Sequence, residues 1–68
     1  MPSGTVKFFN TERGFGFIVP DDGGNDVFVH ITAVHKAGYS GLVEGARIGY
    51  ELVPTRTGKM AAENLRLG

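Results

Sequence analysis

Glycine and proline interrupt this chain so often that a long helix has almost nowhere to form. Eleven glycines and three prolines are spread over 68 residues, and both residue types weaken helix interiors. The chain contains no cysteine, which excludes a disulfide scaffold and a zinc site built from thiolates. A chain this short has room for one hydrophobic core. We therefore expect a single domain over residues 1–68, made of short strands joined by turns.

The charge balance narrows the classes of function. Seven basic and seven acidic residues give a formal net charge of zero. This excludes a strongly basic domain that binds nucleic acid through bulk charge, but it does not exclude a local basic patch.

No apolar run approaches the roughly 20 residues of a membrane-spanning helix, and the first residues lack the features of a signal peptide. We expect a soluble, cytoplasmic protein and a monomer.

The hydrophobic pattern predicts five strands separated by turns. They cover residues 5–10, 15–19, 26–31, 47–53 and 59–67. The first three strands form a meander, and the second and third are joined by the clearest hairpin loop in the chain. Residues 31–36 have helical character sufficient for only a turn or two. Because closure removes the exposed edges of a small sheet, the pattern favours an all-β, antiparallel closed barrel.

The most informative feature is the position of the aromatic residues on the second and third strands. Side chains of a strand alternate between its two faces. Phe15 and Phe17 therefore share one face of their strand, and Phe28 and His30 share one face of the next. The opposite faces carry branched aliphatic residues, which are usual core residues. If the aliphatic faces point inward, the hairpin brings the four rings together on the outside.

An exposed group of aromatic rings is costly unless it binds a partner. Aromatic rings bordered by positively charged side chains are typical of sites that bind single-stranded nucleic acid, because bases stack on the rings and phosphates interact with the charges. Lys7 and Arg13 are near in the chain and would supply the charge, and Gly14 and Gly16 would leave room for a flat ligand. The alternative is that the phenylalanines form the core. So small a domain cannot bury both apolar faces, and periodicity favours the aliphatic one as the core without settling the choice.

The first strand leaves its two aromatic residues unassigned. Phe8 and Phe9 are adjacent, so a regular strand sends them to opposite faces, and alternation does not say which one is outside. A bulge or strong curvature, which is common in small barrels, would expose both rings.

Motifs along nearly the whole chain resemble those of the bacterial cold-shock proteins, which are related to the eukaryotic cold-shock domain. Residues 4–10 resemble the opening strand of that family, residues 13–18 its first ribonucleoprotein motif, and residues 26–30 its second. Residues 58–59 and 61–65 resemble its closing strand. Domains of the RNA-recognition-motif class share the first motif, but they are longer and carry the two motifs in the reverse order.

This resemblance implies a five-stranded OB-fold barrel that binds single-stranded RNA and DNA. It implies a stress-response role as an RNA chaperone and as a transcription antiterminator or regulator, with no cofactor and no metal. The side chains that it implies for base stacking are Phe8, Phe15, Phe17, Phe28 and His30. Two further rings would extend the stacking surface, namely Phe9 and Tyr39. Polar contacts at its edges would come from Lys7, Asn10, Arg13 and Asp26.

The chain departs from the family pattern at four positions. Phe8 stands where the family often has Trp, so stacking there should be weaker. Ile31 stands where many members have Phe, and an aliphatic side chain cannot stack on a base. Arg13 replaces a common Lys, which keeps the charge and adds a planar surface. Glu63 is an additional residue and is expected to alter the pairing of the last strand.

Other polar residues have less specific meanings. Arg56 and Lys59 flank the last predicted turn, where each either contacts a phosphate or only keeps the surface soluble. The acidic residues of 21–26 lack the remainder of a calcium loop, so we expect a solvated hairpin whose negative charge repels phosphate. His30 has no nucleophile or orienting carboxylate in a matching motif, which disfavours a catalytic role.

The pattern as a whole predicts a non-enzymatic protein that binds unpaired strands and shifts the melting equilibrium of RNA by mass action. No glycine-rich loop of the ATP-binding type is present. Two alternatives remain open. One is a small barrel whose apolar patch binds a protein, and the other is a small nuclease or hydrolase, which would need paired carboxylates that the region around His30 lacks.

Overall fold

The computed structural model describes residues 2–67 as five strands and one short helix. In chain order these are β1 (Ser3–Asn10), β2 (Phe15–Pro20), β3 (Val27–His30), α1 (Ile31–Lys36), β4 (Arg47–Pro54) and β5 (Met60–Leu67). All five predicted strands are present, with ends displaced by one or two residues. The segment with weak helical character forms α1, a helix of six residues.

The five strands close into a barrel in the order β1-β2-β3-β5-β4, with β4 pairing back onto β1. This confirms an all-β, OB-like barrel. Four of the neighbouring pairs are antiparallel, but β3 and β5 run parallel where Phe28 meets Ala61. The prediction of purely antiparallel pairing is therefore wrong at this seam. An odd number of strands cannot alternate in direction around a closed ring, so at least one neighbouring pair has to be parallel.

The barrel interior is filled by the aliphatic faces of the strands and by one side of α1. Ile18, Val29 and Val34 are completely buried, and Val6 and Val27 are nearly so. The assignment of aliphatic residues to the inside of β2 and β3 is thereby confirmed. Burying a side chain of this kind contributes about 1.5–3 kcal/mol, and it fixes which face of each strand is turned outward.

A bulge in β1 decides the orientation of its two aromatic residues. The register against β2 shifts between Val6 and Phe8, so that Val6 faces the core whereas Phe8 pairs with Phe17 on the outer face. Lys7 is the additional residue at the shift, and normal alternation resumes after it. Phe9 consequently points inward, where it packs against the core. The bulge is present as expected, and it leaves Phe8 exposed on the outer face and Phe9 half-buried against the core.

A second irregularity lies between β4 and β5. Two residues of β5, Asn64 and Leu65, lie opposite the single residue Tyr50, because the register shifts between Gly49 and Glu51. Asn64 has a backbone φ of 50°, which asparagine tolerates better than most residues. Its amide also donates a hydrogen bond of 2.5 Å to Glu51 Oε1. The pairing of the last strand is thus irregular immediately after Glu63.

An ion pair ties the end of the β2 region to the start of β4. Arg47 donates to both carboxylate oxygens of Asp21 at 2.6 and 2.5 Å, and Ser3 Oγ donates to Asp21 Oδ2 at 2.8 Å. The hydrogen bonds from Arg47 and then from Ser3 lower the pKa of Asp21 below its ordinary value of 3.8. The pair is exposed, so its contribution to stability is modest.

The lowered pKa of Asp21 gives a testable dependence of stability on pH. A carboxyl whose pKa is depressed on folding stabilises the folded state above its unfolded pKa of about 3.9, and this is lost as the pH falls through the folded value. We expect Asp21→Asn to be less stable than the wild type near pH 7 and the gap to close below pH 3.9. Urea unfolding across this range measures it. Glu44→Gln is the control, and a gap that stays constant with pH would contradict the linkage.

Candidate nucleic-acid interface

Five aromatic rings from three adjacent strands lie side by side on the outside of the barrel. We call this surface the aromatic face, and its members are Phe8, Phe15, Phe17, Phe28 and His30. The strand registers bring them together, because Phe17 pairs with both Phe8 and Phe28, and Phe15 pairs with His30. Contacting ring centroids are 5.6–6.3 Å apart. The rings therefore form one continuous surface.

The rings of the aromatic face are held by one another while remaining open to solvent. Phe8 is 37% exposed, His30 is exposed, and the three other phenylalanines are half-buried. Phe15 and Phe28 lie nearly parallel, with an interplanar angle of 20°. The remaining contacts are tilted or edge-to-face, which are arrangements that aromatic pairs prefer. The face is thus a fixed apolar surface, distinct from the barrel core.

A charged pair borders the aromatic face at the β1 bulge. Lys7 Nζ lies 2.9 Å from Asp26 Oδ2, and both side chains are partly exposed. Asp26 was predicted to lie inside the third strand, but it precedes β3. An exposed pair of this kind contributes little stability. Its effect is to hold the ammonium group of the bulge beside the loop that leads into β3.

The turn between β1 and β2 is organised by Asn10. Its Oδ1 accepts hydrogen bonds of 3.0 Å from the backbone N–H groups of Glu12 and Arg13, and its carbonyl accepts one of 2.8 Å from Gly14. The amide Nδ2 keeps its donors free for other contacts, since the structure gives it no partner within residues 2–67. Arg13 is exposed in the same turn. Asn10 and Arg13 therefore lie at the end of the aromatic face formed by Phe15.

A groove of about 670 Å³ continues the aromatic face toward β4 and β5. Its lining includes Phe17 and Phe28 of the aromatic face together with Leu52, Lys59 and Met60. Asp21, Asp22 and Asp26 also line the groove and make part of its lining acidic. Lys59 thus joins the surface near two of the rings. Arg56 is exposed in the turn between β4 and β5 and does not line the groove.

Two of the rings implied by the resemblance lie apart from the aromatic face. Phe9 packs on the inner side of β1, over Gly16 and against the core. Tyr39 also packs against the core, and its hydroxyl accepts a hydrogen bond of 3.2 Å from the backbone N–H of Leu67. The structure therefore brings five of the seven aromatic candidates together.

The glycines beside the phenylalanines of β2 have a role different from the predicted one. Gly14 and Gly16 are buried and face away from the aromatic face. A Cβ at Gly16 would lie 2.4 Å from the carbonyl oxygen of Phe8 and 2.7 Å from Cδ1 of Phe9. A Cβ at Gly14 would lie 3.1 Å from Ile31. These glycines make room for neighbouring parts of the protein, and the expectation that they make room for a ligand is wrong.

Sequence reasoning missed two apolar residues and one polar residue near the site. Leu52 and Met60 are 43% and 44% exposed and extend the apolar surface beyond Phe28. A face assignment for the last two strands would have indicated them, but each strand lacks a clear alternation. Thr32 contacts the His30 ring from the first turn of α1. The contact joins residues two positions apart, and a side-chain cap at the start of the predicted helical turn is the local feature that would have indicated it.

Residues 2–67 contain no group of three or more side chains placed to hold a metal ion. No helix within the same residues is long and apolar enough to cross a membrane.

Known proteins match this chain over its described length. The model of the family described as the 'Cold-shock' DNA-binding domain matches residues 2–67. The chain is 58% identical to Cold shock protein CspA of Rhizobium meliloti and 60% identical to Probable cold shock protein y4cH of Sinorhizobium fredii, over 67 residues that make up 97% of each chain. It is 45% identical to Cold shock-like protein CspE of Escherichia coli over 64 residues, which are 94% of this chain and 93% of that protein.

Proposed function

The chain belongs to the cold-shock domain family, and we propose that it binds single-stranded RNA and DNA through the aromatic face. Proteins of this family generally bind nucleic acid. The observation that carries the proposal is the continuity of five exposed or half-exposed rings on a protein of zero net charge. Stacking contributes about 1–3 kcal/mol per base whatever the base, so such a protein binds strands without a strongly basic surface.

Polar residues at the edges of the aromatic face complete the proposed site. Lys7, Arg13 and Lys59 meet phosphates, and Arg56 adds a more distant positive charge. Asn10 and Asp26 offer an amide and a carboxylate to base edges. The acidic part of the groove lining repels phosphate and so keeps the backbone of the strand away from it. Phe9 and Tyr39 pack against the core and are not part of the proposed stacking surface.

The proposed activity is binding without catalysis, by a cytoplasmic monomer that needs no cofactor. A protein that binds only unpaired segments shifts RNA toward the open state, since a ligand favours the conformation that it binds more tightly. This is the action of an RNA chaperone. The same preference for open RNA disfavours terminator hairpins, so we extend the proposal to transcription antitermination.

The dependence of affinity on salt tests the proposed balance between stacking and charge. With about two or three phosphate contacts, log K should fall against log salt with a slope of about −1.5 to −2 for a single strand. Fluorescence anisotropy with hexathymidine at several salt concentrations measures this slope. A matched duplex and a base-free deoxyribose-phosphate strand are the controls, and both should compete poorly. A slope steeper than about −4 would show that charge dominates.

A tryptophan at position 8 should report directly on the aromatic face. Because indole offers a larger π-face than phenyl, we expect Phe8→Trp to tighten binding of hexathymidine by about 0.5–1 kcal/mol, within the stacking scale. The wild-type chain has no Trp, so the new indole fluorescence should change on titration.

Phe9→Trp is the matched control for this experiment. Its ring faces inward beside Gly16, so the larger indole should destabilise the fold by about 1–3 kcal/mol. Its emission should be blue-shifted before any ligand is added and change little afterwards. A response to oligonucleotide at position 9 and none at position 8 would show that the assigned bulge in β1 is wrong.

A further inference from the structure

The His30 ring is the one member of the aromatic face that is hydrogen-bonded to another side chain. His30 is the N-cap residue of α1, and its Nδ1 accepts a hydrogen bond of 3.2 Å from the backbone N–H of Thr32. The hydroxyl Oγ1 of Thr32 also lies 3.0 Å from Nδ1. One ring nitrogen is therefore approached by two groups of the same residue.

These contacts determine where the proton of the neutral ring resides. A neutral imidazole carries one N–H, and its other nitrogen is an acceptor. A backbone N–H can only donate, so Nδ1 is the acceptor, the Thr32 hydroxyl donates to the same lone pair, and the proton is on Nε2. The Nε2–H group has no hydrogen-bond partner within residues 2–67, and the side chain is exposed.

The position of the ring places this free donor at the edge of the stacking surface. The His30 ring centroid is 6.3 Å from that of Phe28, with an interplanar angle of 38°. Helix α1 fixes the geometry, because its residues Ala33 and Val34 are buried in the core. A base or phosphate that lies over Phe28 therefore meets an N–H group held by a rigid element, which favours a precise contact.

We propose that Thr32 is a positioning residue for nucleic-acid binding. It holds Nδ1 of His30 as an acceptor, and the Nε2–H group then donates a hydrogen bond to an acceptor oxygen of the bound strand. This inference rests on the proposed function of the aromatic face. It assigns to His30 a directed hydrogen bond in addition to stacking, and it makes a residue outside the aromatic face part of recognition.

The tautomer of His30 tests the first step in the free protein. Nitrogen-15 NMR of the imidazole groups is recorded at alkaline pH, where histidines are neutral. In the wild type and in Thr32→Ser, His30 should be almost entirely the Nε2–H form. Thr32→Val keeps the backbone N–H that donates to Nδ1 and loses only the hydroxyl, so the fraction of the Nδ1–H form should rise part of the way toward that of His35, which is exposed and serves as the internal reference. An unchanged ratio in Thr32→Val would overturn the proposal.

Binding of hexathymidine tests the second step. A neutral hydrogen bond has a modest net free energy, so we expect Thr32→Val to lose about threefold to tenfold in affinity and Thr32→Ser to stay within about twofold of the wild type. Thr32→Ala should lose as much affinity as the valine variant. Because alanine and valine differ in size and both lack the hydroxyl, equal losses would point to the hydroxyl and not to altered packing. Thr57→Val is the control, since the partner of that hydroxyl is Thr55. Equal losses in the serine and valine variants would overturn the proposal.

Two ligands distinguish the source of the acceptor oxygen. Thymine has carbonyl oxygens, whereas the acceptors of adenine are ring nitrogens, and hexathymidine and hexadeoxyadenosine carry the same sugar-phosphate backbone. A loss confined to hexathymidine assigns the contact to a base carbonyl, and equal losses with hexadeoxyadenosine assign it to the sugar-phosphate backbone that both strands share. If the wild type binds neither strand, the proposed function itself fails. If the wild type binds and Thr32→Val binds equally well, only the role of Thr32 fails.

Discussion

Replacing Phe15 or Phe28 by alanine should weaken binding of single-stranded DNA by about 1–3 kcal/mol, a loss of about 5-fold to 150-fold in affinity. Each ring contacts three other members of the aromatic face, and the two are nearly parallel with centroids 6.1 Å apart. Truncation of either ring removes a stacking surface and also frees its neighbour. Titration of labelled hexathymidine measures the loss for each variant.

The fold should survive these substitutions, because the rings lie outside the barrel core. Thermal unfolding of each variant checks this expectation. Val43→Ala is the matched control for the loss of exposed apolar surface, since Val43 is 73% exposed and lies in the connection before β4. Val27→Thr is the opposite control, because it places a hydroxyl at a buried position and should destabilise the protein by about 1–3 kcal/mol. If the alanine variants were unfolded while Val27→Thr remained stable, the phenylalanines would form the core and the assignment of the two faces would be wrong.

Replacing Gly16 by alanine should destabilise the protein by at least about 2–3 kcal/mol. The new Cβ would meet the backbone oxygen of Phe8 at 2.4 Å and the α carbon of Phe9 at 2.8 Å. Backbone atoms in the middle of a strand pair cannot move aside without breaking the pairing of β1 with β2. Chemical denaturation measures the free energy of unfolding. At about 0.05–0.15 kcal/mol per residue, a chain of 68 residues has a stability margin of about 3–10 kcal/mol, so this substitution should remove a large share of it.

Gly49→Ala is the matched control for the effect of an added methyl group in a strand. Its Cβ would lie 3.8 Å from the carbonyl oxygen of Arg66 and 4.0 Å from that of Pro2, which are ordinary contacts. The alanine reduces the conformational freedom of the unfolded chain, so we expect Gly49→Ala to be neutral or more stable by about 0.4–1 kcal/mol. Equal destabilisation of the two variants would mean that close packing at Gly16 is not the cause.

Much of the site follows from local patterns. Alternation along β2 and β3 placed Phe15, Phe17, Phe28 and His30 on one side and the aliphatic residues on the other, and the buried positions confirm this division. The prediction succeeds because the period of a strand is a local property, and because the aliphatic face of each strand has to be buried. The five strands and the closed barrel follow from the same pattern.

The presence of a parallel strand pair in the barrel could also have been predicted from the sequence. Five strands in a closed ring cannot all be antiparallel to both neighbours, so the predicted strand number and closure already require a parallel pair. Sequence alone does not say which pair it is. The choice depends on where α1 and the connection before β4 return the chain, and that path is a property of the whole barrel.

Local patterns along β2 and β3 determined which of their residues form the aromatic face and that this face is turned away from the core. The tertiary structure decided which residues lie at the edges of the face. Whether Phe8 or Phe9 is outside depends on the bulge at Lys7, which arises from fitting β1 between two partners, β2 and β4. The close packing of Gly16 against Phe8 and Phe9 likewise joins two separate strands. Alternation along one strand carries no information about such contacts, because they depend on register and curvature that exist only when the barrel closes.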